Sequence, residues 1–186
     1  PNFRDFRQAF RAKLGRNFIV PANSFDNVKG QFPIGFFIWD TNQKEVFEET
    51  TTTIYDSKGE ELGNKLISSY LNDTNVIVWL RQYYDKQGES IGFLRMNGTN
   101  IQNNLGIYIT SKLSDNDIHN HFYAEITKTN ILPMCIYLSI RETVNANWIN
   151  DRDQYLVPSS KWEDDKEFQY NCLIHSLFSG QNRIQC

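Results

Sequence analysis

Apolar residues recur at helical spacing at the start of the chain, at Phe3, Phe6, Phe10 and Leu14. This periodicity predicts an amphipathic helix over residues 2–14, which Gly15 would end. A basic stripe runs beside the apolar one and consists of Arg4, Arg7 and Arg11. Residues 32–39 are apolar at consecutive positions, a pattern typical of a strand that is buried on both faces of a sheet.

The rest of the chain alternates between strand-like and helix-like patterns. Residues 46–55 are rich in Thr and β-branched side chains, a turn signal follows at 56–59, and 62–70 would be the return strand. Further strands are predicted over 90–96 and 105–110, and helices over 75–84, from a Thr129 cap to Ile140, and over 163–178. The predicted fold is therefore α+β. Residues 1–45 would hold a helix and sheet strands, and residues 46–186 a mostly antiparallel, strand-rich region with C-terminal helices.

Charge is distributed unevenly along the chain. The net charge is −3, which argues against nucleic-acid binding by bulk electrostatics. Residues 1–30, however, carry six basic and two acidic side chains, whereas the remainder carries 13 basic and 20 acidic ones. The basic end could meet phosphate groups, or it could simply be the solvated face of a helix.

The three cysteines, Cys135, Cys172 and Cys186, form an odd and sparse set. Their spacing matches neither a disulfide framework nor a zinc site, so we expect a reducing, cytoplasmic setting. No apolar run approaches the roughly 18 residues that a membrane span needs. The chain begins with Pro1 rather than Met, and we expect it to be a piece of a longer protein.

Phe25 is a large aromatic residue in the polar segment 23–31. Such a ring either fills a gap in the core or presents a flat face on which a nucleobase can stack, and both interpretations stay open at this point. Lys29 lies in the same segment and could contact phosphate.

Common catalytic motifs are absent from the sequence, including the glycine-rich nucleotide-binding signatures and the G-x-S-x-G element of hydrolases. Asp153, Asp164 and Lys166 have in outline the residue types of a metal-dependent nuclease. Acidic residues in a first helical turn are already explained by the helix dipole, so this motif has little specificity.

Four segments resemble parts of a known protein family: residues 2–7, 18–40, 147–156, and 165–169 with Cys172 and Leu173. The family comprises the large bacterial N6-adenine DNA methyltransferases of type I and type IIG restriction–modification systems. Residues 25–39 are the most specific part of the resemblance. The similar segments are spread over nearly the whole chain.

The resemblance implies that the chain is a fragment C-terminal to the catalytic motifs. The family binds S-adenosylmethionine at a glycine-rich turn and places an Asn-Pro-Pro-aromatic tetrapeptide beside the target amino group. Neither element occurs in these 186 residues. The parent protein would therefore use S-adenosylmethionine, while this fragment would bind no cofactor and no metal. Residues 1–45 would be the last helix and strands of the methyltransferase sheet.

The resemblance also suggests roles for particular residues. Phe25 matches the family position whose aromatic ring packs against the flipped adenine, a base that has lost its stacking neighbours. Arg4, Arg7, Arg11 and Lys29 would contact DNA. The implied partners are double-stranded DNA and a specificity or endonuclease subunit or domain.

Two alternatives remain beside the methyltransferase hypothesis: a non-catalytic module that binds DNA or protein, and a metal-dependent nuclease. A methyltransferase fragment should contain an incomplete sheet with an exposed strand edge. An independent module should close its own core. A nuclease should bring its carboxylates and lysine together around a metal ion.

Overall fold

A computed structural model of the chain describes residues 4–69, 74–85, 87–120 and 122–184. It contains helices and two mixed sheets, which confirms the predicted α+β class. The helices are α1 (Arg4–Ala9), α2 (Val76–Arg81), α3 (Asp115–Asn120), α4 (Ile131–Glu142) and α5 (Lys166–Phe178). The strands are β1 (Lys13–Pro21), β2 (Pro33–Asp40), β3 (Glu49–Tyr55), β4 (Glu61–Ser68), β5 (Gly92–Met96), β6 (Tyr108–Thr110), β7 (Phe122–Ile126) and β8 (Asn182–Arg183).

The chain folds as two compact units. The first unit is Pro1–Asp73 with Asn147–Asp151, and the second is Thr74–Ala146 with Arg152–Cys186. The first unit continues past the expected division after residue 45, because β3 and β4 are hydrogen-bonded into the same sheet as β1 and β2.

The first unit is built on a four-stranded sheet with the strand order β2-β1-β3-β4. β1 is antiparallel to β2 and parallel to β3, and β3 turns back into β4 as an antiparallel hairpin. At that turn the carboxylate of Asp56 accepts hydrogen bonds from the backbone N–H groups of Glu60 (2.9 Å) and Lys58 (2.8 Å). These bonds lower the pKa of Asp56. Gly59 has a φ of 86°, a conformation that favours glycine.

β2 lies at the edge of this sheet, so the prediction that the strand is buried on both faces was wrong. Phe36 and Phe37 point to opposite faces, and each is 38% exposed, while Ile38 is 64% exposed. A run of consecutive apolar residues indicates that both faces of a strand can be packed against other elements. It does not show whether those elements belong to the same chain. Within the described ranges, β2 pairs with β1 alone.

The N-terminal helix is shorter than the predicted 2–14, because α1 ends at Ala9 and β1 begins at Lys13. Helical periodicity continues in the sequence through Leu14, but Leu14 pairs with Trp39 of β2 instead. The register shifts between Leu14 and Arg16, so Gly15 lies at an irregularity of the strand rather than at a helix end. Sheet pairing has overridden the local helical pattern.

The second unit packs α4 against a second four-stranded sheet, with the strand order β7-β5-β6-β8. The sheet is antiparallel except for the short parallel pair of β6 and β8. Its fully buried core residues include Leu94 and Met96 in β5, Ile107 before β6, and Met134, Ile136 and Leu138 in α4. This unit therefore closes its own hydrophobic core.

The start of α4 differs in detail from the prediction. Asn130, not Thr129, precedes the helix, and Pro133 lies in the first turn as predicted. Oδ1 of Asn130 accepts a hydrogen bond from the Thr127 N–H (2.8 Å). The Thr129 hydroxyl donates to the carboxylate of Asp85 (2.7 Å) and does not cap the helix.

Cys135 and Cys172 are buried free thiols of the second unit, and burial raises the pKa of both. Cys186 lies outside the described residues. Across the part of the chain that the structure describes, no helix combines the length and apolarity needed to cross a membrane.

Candidate nucleic-acid contact site

Phe25 lies in the loop that joins β1 to β2, where the chain forms one short 3₁₀ turn at Ala22–Ser24. The buried Ala22 fixes this loop, because its N–H donates to Phe32 O (2.8 Å) and its carbonyl accepts from the Phe25 N–H (3.2 Å). The Val28 N–H donates in turn to Phe25 O (3.3 Å). The backbone on both sides of Phe25 is thus held by hydrogen bonds.

The Phe25 side chain is 44% exposed, so it is not a plug of the hydrophobic core. Its ring lies 6.1 Å from the ring of Phe36 in β2, at an interplanar angle of 34°. Of the two interpretations left open by the sequence, this exposure favours a ring that is available for contact.

Phe25 belongs to a group of four rings, which we call the aromatic row: Phe25, Phe36, Phe18 and Tyr55. Phe36 and Phe18 lie opposite each other in the antiparallel pair of β2 and β1, and their rings stack with centroids 4.8 Å apart. Tyr55 of β3 meets Phe18 edge-on at 6.0 Å. Side chains that touch across neighbouring strands share one face of a sheet, so the first unit presents a continuous aromatic surface.

Two of the predicted DNA-binding arginines, Arg4 and Arg7, belong to α1, and the Arg7 side chain is exposed. Arg11 follows the helix and has a structural role, because its guanidinium donates to Gln8 O (2.7 Å) and Phe10 O (2.8 Å). These bonds satisfy carbonyl groups at the C-terminal end of α1.

Lys29 is exposed in the same loop as Phe25, beyond the far end of β1 from α1. β1 has nine residues and spans about 26 Å. The structure therefore does not bring Lys29 together with Arg7 of α1. Lys29 instead belongs to the neighbourhood of the aromatic row.

The residues of the nuclease hypothesis lie in the second unit. The backbone N–H of Asp164 donates to Lys161 O (3.2 Å), and the Lys166 ammonium donates to Gln169 Oε1 within α5 (3.1 Å). Among the described residues, no group of three or more His, Cys, Asp or Glu side chains could hold a metal ion.

Arg141 of the second unit is fully buried although it is charged. Its guanidinium donates five hydrogen bonds of 2.6–3.3 Å, to Asn97 O, Gly98 O, Asn100 O, Asn104 Oδ1 and Tyr137 OH. Desolvation lowers the pKa of Arg141 from its usual value. Because its donors are taken up by the segment that follows β5 and by Tyr137 of α4, we assign this residue a structural role rather than a ligand-binding one.

Sequence reasoning singled out Phe25 but missed the other three rings of the aromatic row. The available signal was the hairpin of β1 and β2, two strands joined by the loop from Ala22 to Phe32. The antiparallel register of this hairpin places Phe18 opposite Phe36. Tyr55 could not be found in this way, because the parallel pairing of β1 with β3 joins strands that are distant in sequence.

No protein-family model, curated protein or solved structure matches this chain. The function proposed below rests on the geometry of the first unit and on the resemblance of the quoted segments.

Proposed function

We propose that this chain is a fragment of an S-adenosylmethionine-dependent DNA adenine-N6 methyltransferase of a restriction–modification system. The observation that carries the proposal is the open edge of β2. This strand is apolar along most of its length, lies at the edge of its sheet and exposes side chains on both faces. Natural edge strands are normally protected by charge or cover, so such a strand indicates a sheet that continues into a further part of the protein.

In this proposal the chain supplies one wall of the pocket that holds the flipped adenine. Phe25 is the ring that packs against the base, which fits its 44% exposure and its place on a loop held by hydrogen bonds. A nucleobase removed from the duplex loses its stacking partners, and an aromatic ring replaces part of that energy.

The methyl donor site and the catalytic tetrapeptide lie in the remainder of the parent protein, since neither occurs in these 186 residues. The parent acts on double-stranded DNA in the cytoplasm, together with a specificity or endonuclease subunit or domain. Arg4 and Arg7 contact the phosphate backbone through charge. Reversing both charges, Arg4→Glu with Arg7→Glu, should lower the affinity of the chain for duplex DNA and weaken its salt dependence.

The experiment that tests this function compares the 186-residue chain with the parent polypeptide. Isothermal titration calorimetry should detect no S-adenosylmethionine binding to the chain. The parent should transfer the labelled methyl group of S-adenosylmethionine to adenine N6 in DNA. Micromolar cofactor binding by the isolated chain, or a parent without adenine methylation, would refute the proposal.

A second candidate is a binding module without chemistry, and one observation favours it. The second unit closes its own core, yet α5 exposes apolar side chains at helical spacing: Tyr170, Ile174, Leu177 and Phe178. Exposed apolar surface of this kind is typical of protein interfaces. This candidate is compatible with the first if the second unit recruits a partner to the methyltransferase.

A further inference from the structure

The first unit contains a cavity on the face of its sheet that lies opposite the aromatic row. Four aromatic side chains line this cavity, which we call the ring pocket: Phe6, Phe10, Trp39 and Phe47. Trp39 follows Phe37 by two residues in β2, and the two rings stack 6.5 Å apart, so both lie on the face away from Phe36. The ring pocket has a volume of about 510 Å³, which is within the usual range for small-molecule sites.

The four rings form one connected wall of the ring pocket. Phe6 meets Phe10 with ring centroids 5.3 Å apart, and Phe10 meets Trp39 edge-on at the same distance. Trp39 in turn meets Phe47 edge-on at 5.7 Å. Phe6 is nevertheless 59% exposed, so this apolar wall is accessible from solvent. A molecule that occupies the ring pocket must therefore be apolar over most of its surface.

Backbone hydrogen bonds fix the segment that carries the fourth ring. Residues 41–48 connect β2 to β3, and neighbouring strands hold this connection at two points. The Ala12 N–H, just before β1, donates to Glu45 O (3.1 Å), and the Ser69 N–H, just after β4, donates to Glu48 O (2.6 Å). The walls of the ring pocket are therefore formed before any ligand binds, as is usual for small-molecule sites.

Two arginines supply the charge at the ring pocket. Of the described residues that line it, Arg7 and Arg11 carry the only charges, and both side chains are exposed. Arg11 donates its two hydrogen bonds, to Gln8 O and Phe10 O, through Nη1. Within the described ranges its Nε and Nη2 donate to no protein group. These two nitrogens form the planar fork that binds a carboxylate through two parallel hydrogen bonds.

We propose that the ring pocket binds a small apolar carboxylate, with the carboxylate on Arg11 and the apolar body against the four rings. Arg7 adds a second positive charge, which favours an anion over a neutral ligand. Aryl and alkyl acids share this chemistry, and the experiment below compares them. The inference is independent of the proposed function, because it requires neither Phe25 nor the open edge of β2.

The test is isothermal titration calorimetry of the 186-residue chain at pH 7 with two acids, 2-naphthoate and decanoate. Each acid is compared with the neutral alcohol of the same carbon skeleton, 2-naphthalenemethanol or 1-decanol. At least one acid should bind, and about tenfold or more tightly than its alcohol, because a charge-assisted hydrogen bond contributes a factor of that order. Binding of one acid alone would identify the ligand as aryl or alkyl. No binding of either acid, or equal affinity for acid and alcohol, would overturn the inference.

A charge-preserving variant tests the contact with the guanidinium. Arg11→Lys keeps the positive charge but removes the planar fork, so it should weaken acid binding about tenfold and leave the affinity for the alcohol unchanged. Arg16→Lys makes the same change at an exposed position of β1 outside the ring pocket and is the matched control. Acid affinity that is unchanged in Arg11→Lys would overturn the inference.

A second pair of variants tests the cavity itself. Ser68→Phe fills the ring pocket from β4 and should abolish acid binding, whereas Ser57→Phe adds the same ring in the β3–β4 turn and should retain it. Melting curves check folding, and Val46→Trp fills the ring pocket from the β2–β3 connection if Ser68→Phe does not fold. Acid binding that survives the filling would overturn the inference. A chain that binds no acid, and that Ser68→Phe converts from dimer to monomer in sedimentation velocity runs, would make the ring pocket an interface between copies and the inference wrong.

Discussion

At the scale of single residues, burial separates the side chains that hold the fold from those that can meet a ligand. Phe25 is a large apolar ring that is 44% exposed, whereas Arg141 is a charged side chain with no exposed surface. From residue type alone, the phenylalanine would be expected in the core and the arginine at the surface. The structure leaves the Phe25 ring exposed, and it makes Arg141 the organiser of a loop.

The first residue-scale prediction concerns Phe25→Ala in the isolated chain. Because the ring is half in solvent, its removal leaves no closed cavity, and the free energy of unfolding should fall by about 1 kcal/mol or less. The control is Ile19→Ala in the adjoining strand, where the side chain is 4% exposed and the loss should be about 2–5 kcal/mol. Denaturant unfolding of both variants is the measurement. If Phe25→Ala lowered the free energy of unfolding by about 3 kcal/mol or more, the ring would instead be part of the hydrophobic core.

The second residue-scale prediction concerns Arg141→Leu. The substitution leaves the carbonyl groups of Asn97, Gly98 and Asn100 without their donor, and each buried unpaired group costs about 1–3 kcal/mol. The second unit should therefore lose at least about 3 kcal/mol of unfolding free energy. Lys128→Leu removes a charge at an exposed site and should change stability by only about 0.5 kcal/mol. A similar, small loss in both variants would contradict the assigned role.

At the scale of elements, sequence patterns predicted most strands and the longer helices, but they did not predict which strands pair with one another. The β3–β4 hairpin was predictable from Asp56 and Gly59, since the turn chemistry is local. The short α3 and β7 were not predicted, because neither has an extended periodic pattern. The prediction made α1 too long and placed β2 at the centre of a sheet. Both features depend on strand pairing, which the local sequence pattern does not encode.

The element-scale prediction concerns the open edge of β2. The isolated chain should self-associate through this edge, because an apolar strand with one unpaired side is a template for another strand. Ile38→Lys places a charge at a position that is 64% exposed, and it should shift the chain toward monomer in sedimentation velocity runs. Leu105→Lys, at an 87% exposed position of the second unit, is the control and should leave association unchanged. A wild-type chain that stays monomeric at high concentration would contradict the account of this edge.

At the scale of the whole molecule, the two units differ in how completely they bury their apolar side chains. The second unit buries a continuous core between α4 and its sheet, whereas the first unit leaves a strand edge and the aromatic row exposed. Within the described ranges, the exposed strand edge of the first unit includes β2, which pairs with β1 alone. The pairing of Phe18 with Phe36 follows from the hairpin of β1 and β2, whereas the place of Tyr55 beside Phe18 depends on the parallel pairing of β1 with β3 and was beyond sequence reasoning.

The measurement that tests the central claim most directly is the rate of adenine-N6 methylation by the parent polypeptide carrying changes at Phe25. Phe25→Ala removes the stacking wall and should slow methyl transfer roughly tenfold to a hundredfold, which corresponds to about 1–3 kcal/mol of stacking energy. Phe25→Trp retains an aromatic face and should keep most of the activity. Wild-type rates in Phe25→Ala would contradict the account, because the ring would then have no part in holding the target base.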